Sequence, residues 1–289
     1  MLLIAGIIPQ ADAPLIYGTA ARQGSLLSIE GNDIPYGQGT AAMISAALAM
    51  TEYLQIDPPR VIIAGDIGRG NGSRLIYQYL IENLAEIKPG VLALHYWMPD
   101  LELMRDLYEQ VQLLDPRPIL IADAASMYAA KAVGLAPGFD VFTPDLSEIA
   151  FLADAEAIHP AYIDKHLFES CDVSSVPELI TEAYRNQGAA KFLLVKGKSD
   201  HIADKNGIRS SIHGPDVPEL ECIGGTGDTI TGMCAALIHS GLDIEFALEL
   251  SAQANRLAGA LKPTTPATRI EEIIARLPEV FRAKLNVRD

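Results

Sequence analysis

The chain has 289 residues, 49% of them hydrophobic and 20% charged, an ordinary globular composition that can bury roughly three quarters of the unfolded chain's surface without a metal or disulfide staple. Lys and Arg number 22 and Asp and Glu 37, so the formal net charge is −15. That argues against a nucleic-acid binder or a protein held to an anionic membrane, both of which need a basic face, but not against a small anionic ligand gripped by local donors. The three cysteines, Cys171, Cys222 and Cys234, are odd in number and scattered, so neither a disulfide framework nor a zinc site is expected, and a reducing, cytoplasmic setting fits. Met1–Pro9 lacks a basic leader, and no uncharged apolar run reaches about 18 residues, so no signal peptide and no membrane span are expected.

Taken in chain order, Leu2–Ile8 reads as a buried strand. Gly31–Gly39 reads as a loop over the sheet, and the Ala-, Met- and Leu-rich Thr40–Leu54 as a helix. Val61–Ala64 is a strand. The spacing of Leu75, Tyr79, Leu80 and Leu84 predicts a helix over Ser73–Ile87. Asp100, after Pro99, caps a helix that runs to Leu113. Ile119–Ala122, Val141–Thr143 and Phe192–Lys196 are further strands, with a helix over Val176–Gln187 that ends at Gly188. His201–Ala203 and Ile208–Ile212 form a hairpin turned by Asn206-Gly207. Gly225–Ser240, Ile244–Leu261 and Ile270–Ala283 are helices, punctuated by Gly241, Pro263 and Pro266. Strand and helix alternating at this spacing give an α/β fold, a three-layer sandwich with a central, mostly parallel sheet. No repeat, low-complexity tract or linker interrupts it, which reads as a single domain over 1–289.

The most informative string is Gly224-Gly225-Thr226-Gly227-Asp228, directly before an apolar helix. Glycines at a helix start let the backbone close on a ligand, and the unpaired N–H groups with the helix dipole favour an anion there. A carboxylate in such a cradle would repel phosphate, yet it makes sense as a general base that takes a proton from a hydroxyl while the N–H groups hold a transferring phosphoryl group. The competing reading is a glycine turn with Asp228 or Thr226 as a cap. The string resembles the GAGD/GTGD signature of the ribokinase-like superfamily. That resemblance implies a ribokinase-like fold, Asp228 as catalytic base, and Gly224, Gly225, Thr226 and Gly227 as the anion hole.

Other segments match in the same order. Asp140–Glu148 resembles both the NxxE segment of the sugar kinases and the TP-x-x-x-E segment of the ADP/ATP-dependent NAD(P)H-hydrate dehydratases. It places Asp145 and Glu148 near phosphate-bound magnesium, although the sugar kinases and dehydratases carry Asn or His where this chain has Asp145. The same residues could form only a helix start with a capping box. Leu194–Ala203 resembles the strand and Lys-Gly segment beside the nucleotide, which makes Lys196 a candidate phosphate partner; a strand-end lysine in solvent is the alternative. Ile121–Ala125 resembles the dehydratases' DADAL segment, and Asp123 there would touch substrate or cap the next helix. Asn255 resembles the late-helix Asn that lines the sugar kinases' adenine pocket, or is simply a polar residue in an amphipathic helix.

Two strings favour the dehydratases. Ala64–Gly70 resembles their GPGLGR loop, with Asp66 where they have Pro, which makes Gly65 and Asp66 substrate candidates. Ala13–Leu15 with Ala20–Ser25 loosely resembles their early helix. Lid strands of the kind found in sugar kinases are not evident, and Gly37–Thr40 is only a weak echo of the sugar kinases' Gly-Gly pair. The six histidines lack HxxxH or HExxH spacing, and neither a GxSxG elbow nor a P-loop is present, so no directly bound catalytic metal is assigned. Tyr36, Tyr96 and Trp97 could line a planar-ring pocket or belong to the core. The resemblance thus implies an enzyme that uses ATP or ADP with Mg2+ to repair hydrated NAD(P)H. The alternatives are a small-molecule kinase acting on a sugar, nucleoside or vitamin-precursor alcohol, and a non-catalytic nucleotide sensor. The expected partners are a small substrate and a nucleotide, with homo-oligomer formation open.

Overall fold

Side chains alternate across a strand, so a strand that is apolar at nearly every position must be covered on both faces. The computed structural model describes residues 1–157 and 175–285 apart from Asp12, Ser25 and Tyr36; Tyr36 and Cys171 therefore lie outside the described residues. β1 (Leu2–Ile8), β2 (Ile16–Gln23), β3 (Leu26–Ile29) and β4 (Asn32–Pro35) precede α1 (Thr40–Leu54). Next come β5 (Arg60–Gly65), α2 (Asn71–Ile87), β6 (Val91–His95), α3 (Leu101–Gln112), β7 (Ile119–Asp123), α4 (Ala125–Ala132), β8 (Val141–Phe142) and α5 (Leu146–Ala153). The chain closes with α6 (Val176–Arg185), β9 (Phe192–Val195), β10 (Asp200–Asp204), β11 (Gly207–Ile212), α7 (Thr226–His239), α8 (Ile244–Leu261) and α9 (Ile270–Val280).

The described strands form one sheet in the order β11-β10-β9-β8-β7-β6-β1-β5-β2-β3-β4. The six strands from β9 to β5 are parallel, and antiparallel strands extend both edges. Leu2, Ile4 and Ile8 of β1 enter one core with residues of α1, α7, α8 and α9. Leu3 and Ala5 enter the other with α2 to α6. This is the α/β/α sandwich expected from the alternating pattern. Among the described residues, no helix is long and apolar enough to cross a membrane.

Three corrections concern elements. Ala20–Ser25, likened to a helix, lies for the most part in β2, whose Ile16–Thr19 pair with β5 and whose Ala20–Gln23 pair with β3. Pairing with neighbouring strands overrides the weak local preference of Ala and Arg. The expected loop Gly31–Gly39 contains β4, and β2 to β4 are antiparallel strands where none were evident. They do not stand off the body: Leu27, Ile29 and Ile34 are buried in the α1 core. Finally, β6 went unread because its apolar run is only Val91–Leu94 before His95.

The carboxyl ends of the parallel strands share one edge of the sheet, and register decides who meets there. Gly6 of β1 is opposite His95 of β6, and His95 is opposite Asp123 of β7. A Cβ on Gly6 would lie 2.6 Å from both the His95 carbonyl oxygen and Thr40 Oγ1. Glycine there lets the start of α1 settle over the strand ends.

Candidate active site

Four side chains meet at this edge. His95 and Asp123 end β6 and β7, Lys196 follows β9, and Asp228 sits in the first turn of α7. Asp228 is clamped at both oxygens. His95 Nε2 lies 3.0 Å from Oδ1, and the Gly39 backbone N–H donates to Oδ2 at 2.6 Å. Thr40 Oγ1 lies 3.0 Å from His95 Nδ1. A carboxylate can only accept, so the pattern assigns the His95 proton to Nε2, and Nδ1 accepts from the Thr40 hydroxyl. Burial pushes the Asp228 carboxyl up, but His95, Lys196 and the Gly39 N–H outweigh it and hold the group below the usual carboxylate range. Asp228 is therefore an ionised base at neutral pH.

Asp123 is buried, and its carboxylate is fully used by the protein. Lys196 Nζ donates to it at 2.9 and 3.1 Å, Thr231 Oγ1 at 2.5 Å and the Ala124 N–H at 2.8 Å. Thr143 Oγ1, 2.9 Å from Thr231 Oγ1, extends the chain. Burial alone would favour a neutral Lys196, yet Asp123, Glu148 and Asp228 around it raise its affinity for a proton above that of an ordinary lysine. Lys196 is a fixed cation beside Asp228 and Gly227, and Asp123 is what fixes it.

Asp145 caps α5. Its carboxylate accepts from the Glu148 N–H at 2.8 Å, and Glu148 Oε2 accepts from the Asp145 N–H at 2.8 Å, a complete capping box. Both residues also line the cavity. Glu148 is desolvated by its crowded surroundings, and Asp145 and Asp123 add to that, so its carboxyl is held above the usual range against the pull of Lys196.

These groups border a cavity of about 470 Å³. No side chain caps the start of α7, and the Thr226 N–H donates to the Ile223 carbonyl at 3.4 Å, so the N–H groups left to meet a ligand are those of Gly227 and Asp228. Gly224, Gly225, Thr226 and Gly227 all line the space. Asn255 does too; its side-chain amide lies 3.0 Å from Thr229 Oγ1, which is also 2.7 Å from the Thr226 carbonyl. Arg256 ties the Lys196 loop in place: its Nε donates to Asp200 at 2.7 Å and its Nη2 to the Gly197 and Lys198 carbonyls. Tyr96, 48% exposed and with a φ of 57°, turns its ring to the cavity edge against His95. Trp97 instead stacks on Tyr77 in the core.

Gly65 and Asp66 do not join this group. Asp66 accepts from the N–H groups of Gly68, Arg69, Gly70 and Ser73 and from the Ser73 hydroxyl, so its carboxylate organises its own turn. The strand ends that meet Asp123 are those of β9, through Lys196, and β6, through His95, not that of β5. Sequence reasoning missed His95 and gave no site role to Gly39 and Thr40, which it read only as part of a weak Gly-Gly echo. Their signal was a glycine inside β1, a Thr at a helix start and a His ending a short strand, which means nothing until register is known.

Among the described residues, His95, Asp123 and Asp228 bring ligating atoms within 4.8 Å of one another. Lys196 already sits on Asp123 and Gly39 on Asp228, so they are joined as a hydrogen-bonded network, and we assign no metal to it. The described lining carries seven acidic and three basic side chains, so a polyphosphate fits only if it brings cations. Glu148 and Asp145, at the rim, are the carboxylates suited to a hydrated Mg2+.

No family model matches the chain. It is 38% identical over 244 residues to the uncharacterized protein MJ1337 of Methanocaldococcus jannaschii, across 84% of this chain and all of that one. It is 29% identical over 188 residues to the bifunctional NAD(P)H-hydrate repair enzyme Nnr of Pyrobaculum aerophilum, across 63% of this chain but only 32% of that enzyme. Among solved structures, phosphofructokinase-2 of Escherichia coli in complex with potassium superposes with a TM-score of 0.56 at 15% identity, covering 96% of this chain and 99% of that one. The ADP complex of Bacillus subtilis pyridoxal kinase superposes with a TM-score of 0.51 at 14% identity, covering 88% and 89%.

Proposed function

The chain belongs to the same family as the Methanocaldococcus jannaschii protein MJ1337 and has a ribokinase-like fold, and from that premise we propose that it is a nucleotide-dependent, cytoplasmic enzyme that repairs hydrated NAD(P)H. The observation that carries the proposal is an ionised, doubly clamped Asp228 in the first turn of an uncapped helix, with Lys196 beside it. The partial likeness to Nnr supports the choice of acceptor.

Asp228 takes the proton from the hydroxyl of the hydrated ring as that oxygen bonds to the terminal phosphorus of ATP or ADP and the phosphoanhydride bond breaks. N–H groups between Gly225 and Asp228 and the Lys196 ammonium meet the charge that gathers on the phosphoryl oxygens. Phosphate then leaves with the electrons of the carbon–oxygen bond and takes up the proton that a neighbouring ring carbon loses. Asn255 binds the nucleotide, and Glu148 and Asp145 are the residues that would hold a hydrated Mg2+. The ion, when bound, neutralises phosphate charge that this acidic cavity cannot.

A kinase acting on a small alcohol would use the same first step. The likeness in fold to phosphofructokinase-2 and pyridoxal kinase supports this second reading.

The deciding test is recovery of reduced-nicotinamide absorbance from hydrated NADH with Mg2+ and either ATP or ADP. Wild type should restore the signal only with nucleotide, and Asp228→Asn should cut turnover by a factor of about 10² or more. The amide oxygen of the variant can still accept from His95 Nε2–H, so the variant should still fold. Full activity in Asp228→Asn removes the base from the mechanism. No repair despite nucleotide binding transfers the proposal to an alcohol kinase.

A further inference from the structure

Asp228 shares its cavity with Asp123, Asp145 and Glu148, and like charges at close range drive carboxylates toward their protonated forms. A base in such company stays ionised only if donors are aimed at it. Three are present: the Gly39 N–H on Oδ2, His95 Nε2 on Oδ1, and the Lys196 ammonium nearby. The Gly39 contact belongs to the backbone, and Lys196 is bonded to Asp123. His95 is therefore the side chain that faces Asp228 directly. It is fully buried, so its ring does not reach solvent. Thr40 Oγ1 holds the other nitrogen, and Gly6 leaves room for Thr40 to do so.

We propose that His95, oriented by Thr40, is a positioning residue that keeps the Asp228 carboxylate ionised and aimed into the cavity. The relay runs from the Thr40 hydroxyl to His95 Nδ1, and from Nε2–H to Asp228 Oδ1. It needs no proton transfer through the ring; the histidine works as a rigid donor whose tautomer is fixed from behind. The groups facing Asp228 are His95 and Tyr96 from the end of β6, Lys196 after β9 and Gly39 at the start of α1, with Asp123 of β7 and Glu148 of α5 lining the same cavity. Of the side chains, only His95 makes a hydrogen bond to Asp228 among the described residues. Removing it leaves the carboxylates opposed by Lys196 and one N–H alone.

The proposal rests on Asp228 as the base only where activity is the readout; the titration below stands apart from it. Protein labelled with carbon-13 at the aspartate carboxyls, with Asp228 assigned by Asp228→Asn, is titrated as wild type, His95→Ala, His95→Gln and Thr40→Val. The Asp228 midpoint should rise by about one to two pH units in His95→Ala. It should return most of the way in His95→Gln, whose amide can still donate, and move partway in Thr40→Val. In the repair assay the acid limb of the kcat profile should move up by a similar amount, with KM for nucleotide unchanged. If His95→Ala fails to fold, the Gln and Thr40→Val curves and the nitrogen-15 shifts of the wild-type His95 ring carry the test; equal populations of the two tautomers overturn the proposal. So does a His95→Ala midpoint on top of wild type, or a Gln variant displaced as far as the Ala variant. If Asp228→Asn stays active while the midpoints move as expected, the base assignment fails and the clamp survives.

Discussion

Two neighbouring glycines separate what the loop before α7 does for the fold from what it does for a ligand. Gly227 has helical backbone, and a Cβ there would lie 3.4–3.7 Å from the flexible end of Lys196, an ordinary contact. Gly227→Ala removes unfolded-chain freedom and should stabilise the protein by roughly 0.4–1 kcal/mol. At about 2–4 °C per kcal/mol, Tm should rise by about 1–4 °C. The same methyl fills the space between the helix N–H groups and Lys196, where a phosphate would sit. Affinity for ATP or ADP with Mg2+ should therefore fall about tenfold or more, a loss of about 1.4 kcal/mol or greater. Gly225→Ala should behave in the opposite way. Its φ is 100°, and its Cβ would meet Ile270 Cγ1 at 3.0 Å, Ala42 Cβ at 3.1 Å and Gln38 Cα at 3.2 Å. Positive-φ strain of about 1–2 kcal/mol adds to overpacking of about 1–3 kcal/mol, so Tm should drop by about 4–20 °C. Scanning calorimetry and titration calorimetry read the two effects separately. A Gly227→Ala protein that melts higher and still binds both nucleotides as wild type does would refute the phosphate cradle. One that loses more than about 1 kcal/mol would refute the local geometry.

Lys196→Met strands the buried Asp123 with hydroxyl and amide donors only, and should cost about 3–5 kcal/mol along with nucleotide binding. An unchanged melting curve would mean that the ion pair does not form. Asp66→Asn should cost about 1–3 kcal/mol at pH 7 and leave nucleotide affinity unchanged. Burial pushes the Asp66 carboxyl up, but the Ser73 N–H and hydroxyl, with Gly70 and Arg69, hold it below the usual value. Its contribution is therefore present above about pH 4 and lost as the pH falls through the lower folded value, so the Asp66→Asn deficit in urea melts should narrow as the pH is taken below that of an ordinary carboxylate.

What could be read from the sequence was local. The α1 and α8 boundaries follow directly from apolar periodicity, and the cradle before α7 from three glycines in four positions. The capping box at Asp145 and Glu148 was legible because it spans four residues. What failed was long-range. β2 owes its conformation to β5, some forty residues later, and its alanines and arginine carry little strand preference of their own. Asp66 lies in a glycine-rich string that looks like a binding loop, yet its carboxylate is spent on that string's own N–H groups. His95 stands 133 residues from Asp228, and nothing in its neighbours announces the contact.

The clamp also has a consequence for assembly. The Gly39–Asp228 hydrogen bond joins residues 189 apart in sequence. During synthesis, a chain can pair β1 with β5 and β6 long before Asp228 exists, so most of the sheet can form while the base is missing. Contacts of such separation form late and slowly. Turnover would therefore appear only once α7 has docked beside α1, so a refolding experiment that follows catalysis would register the final closure of the sandwich and remain blind to the sheet that preceded it.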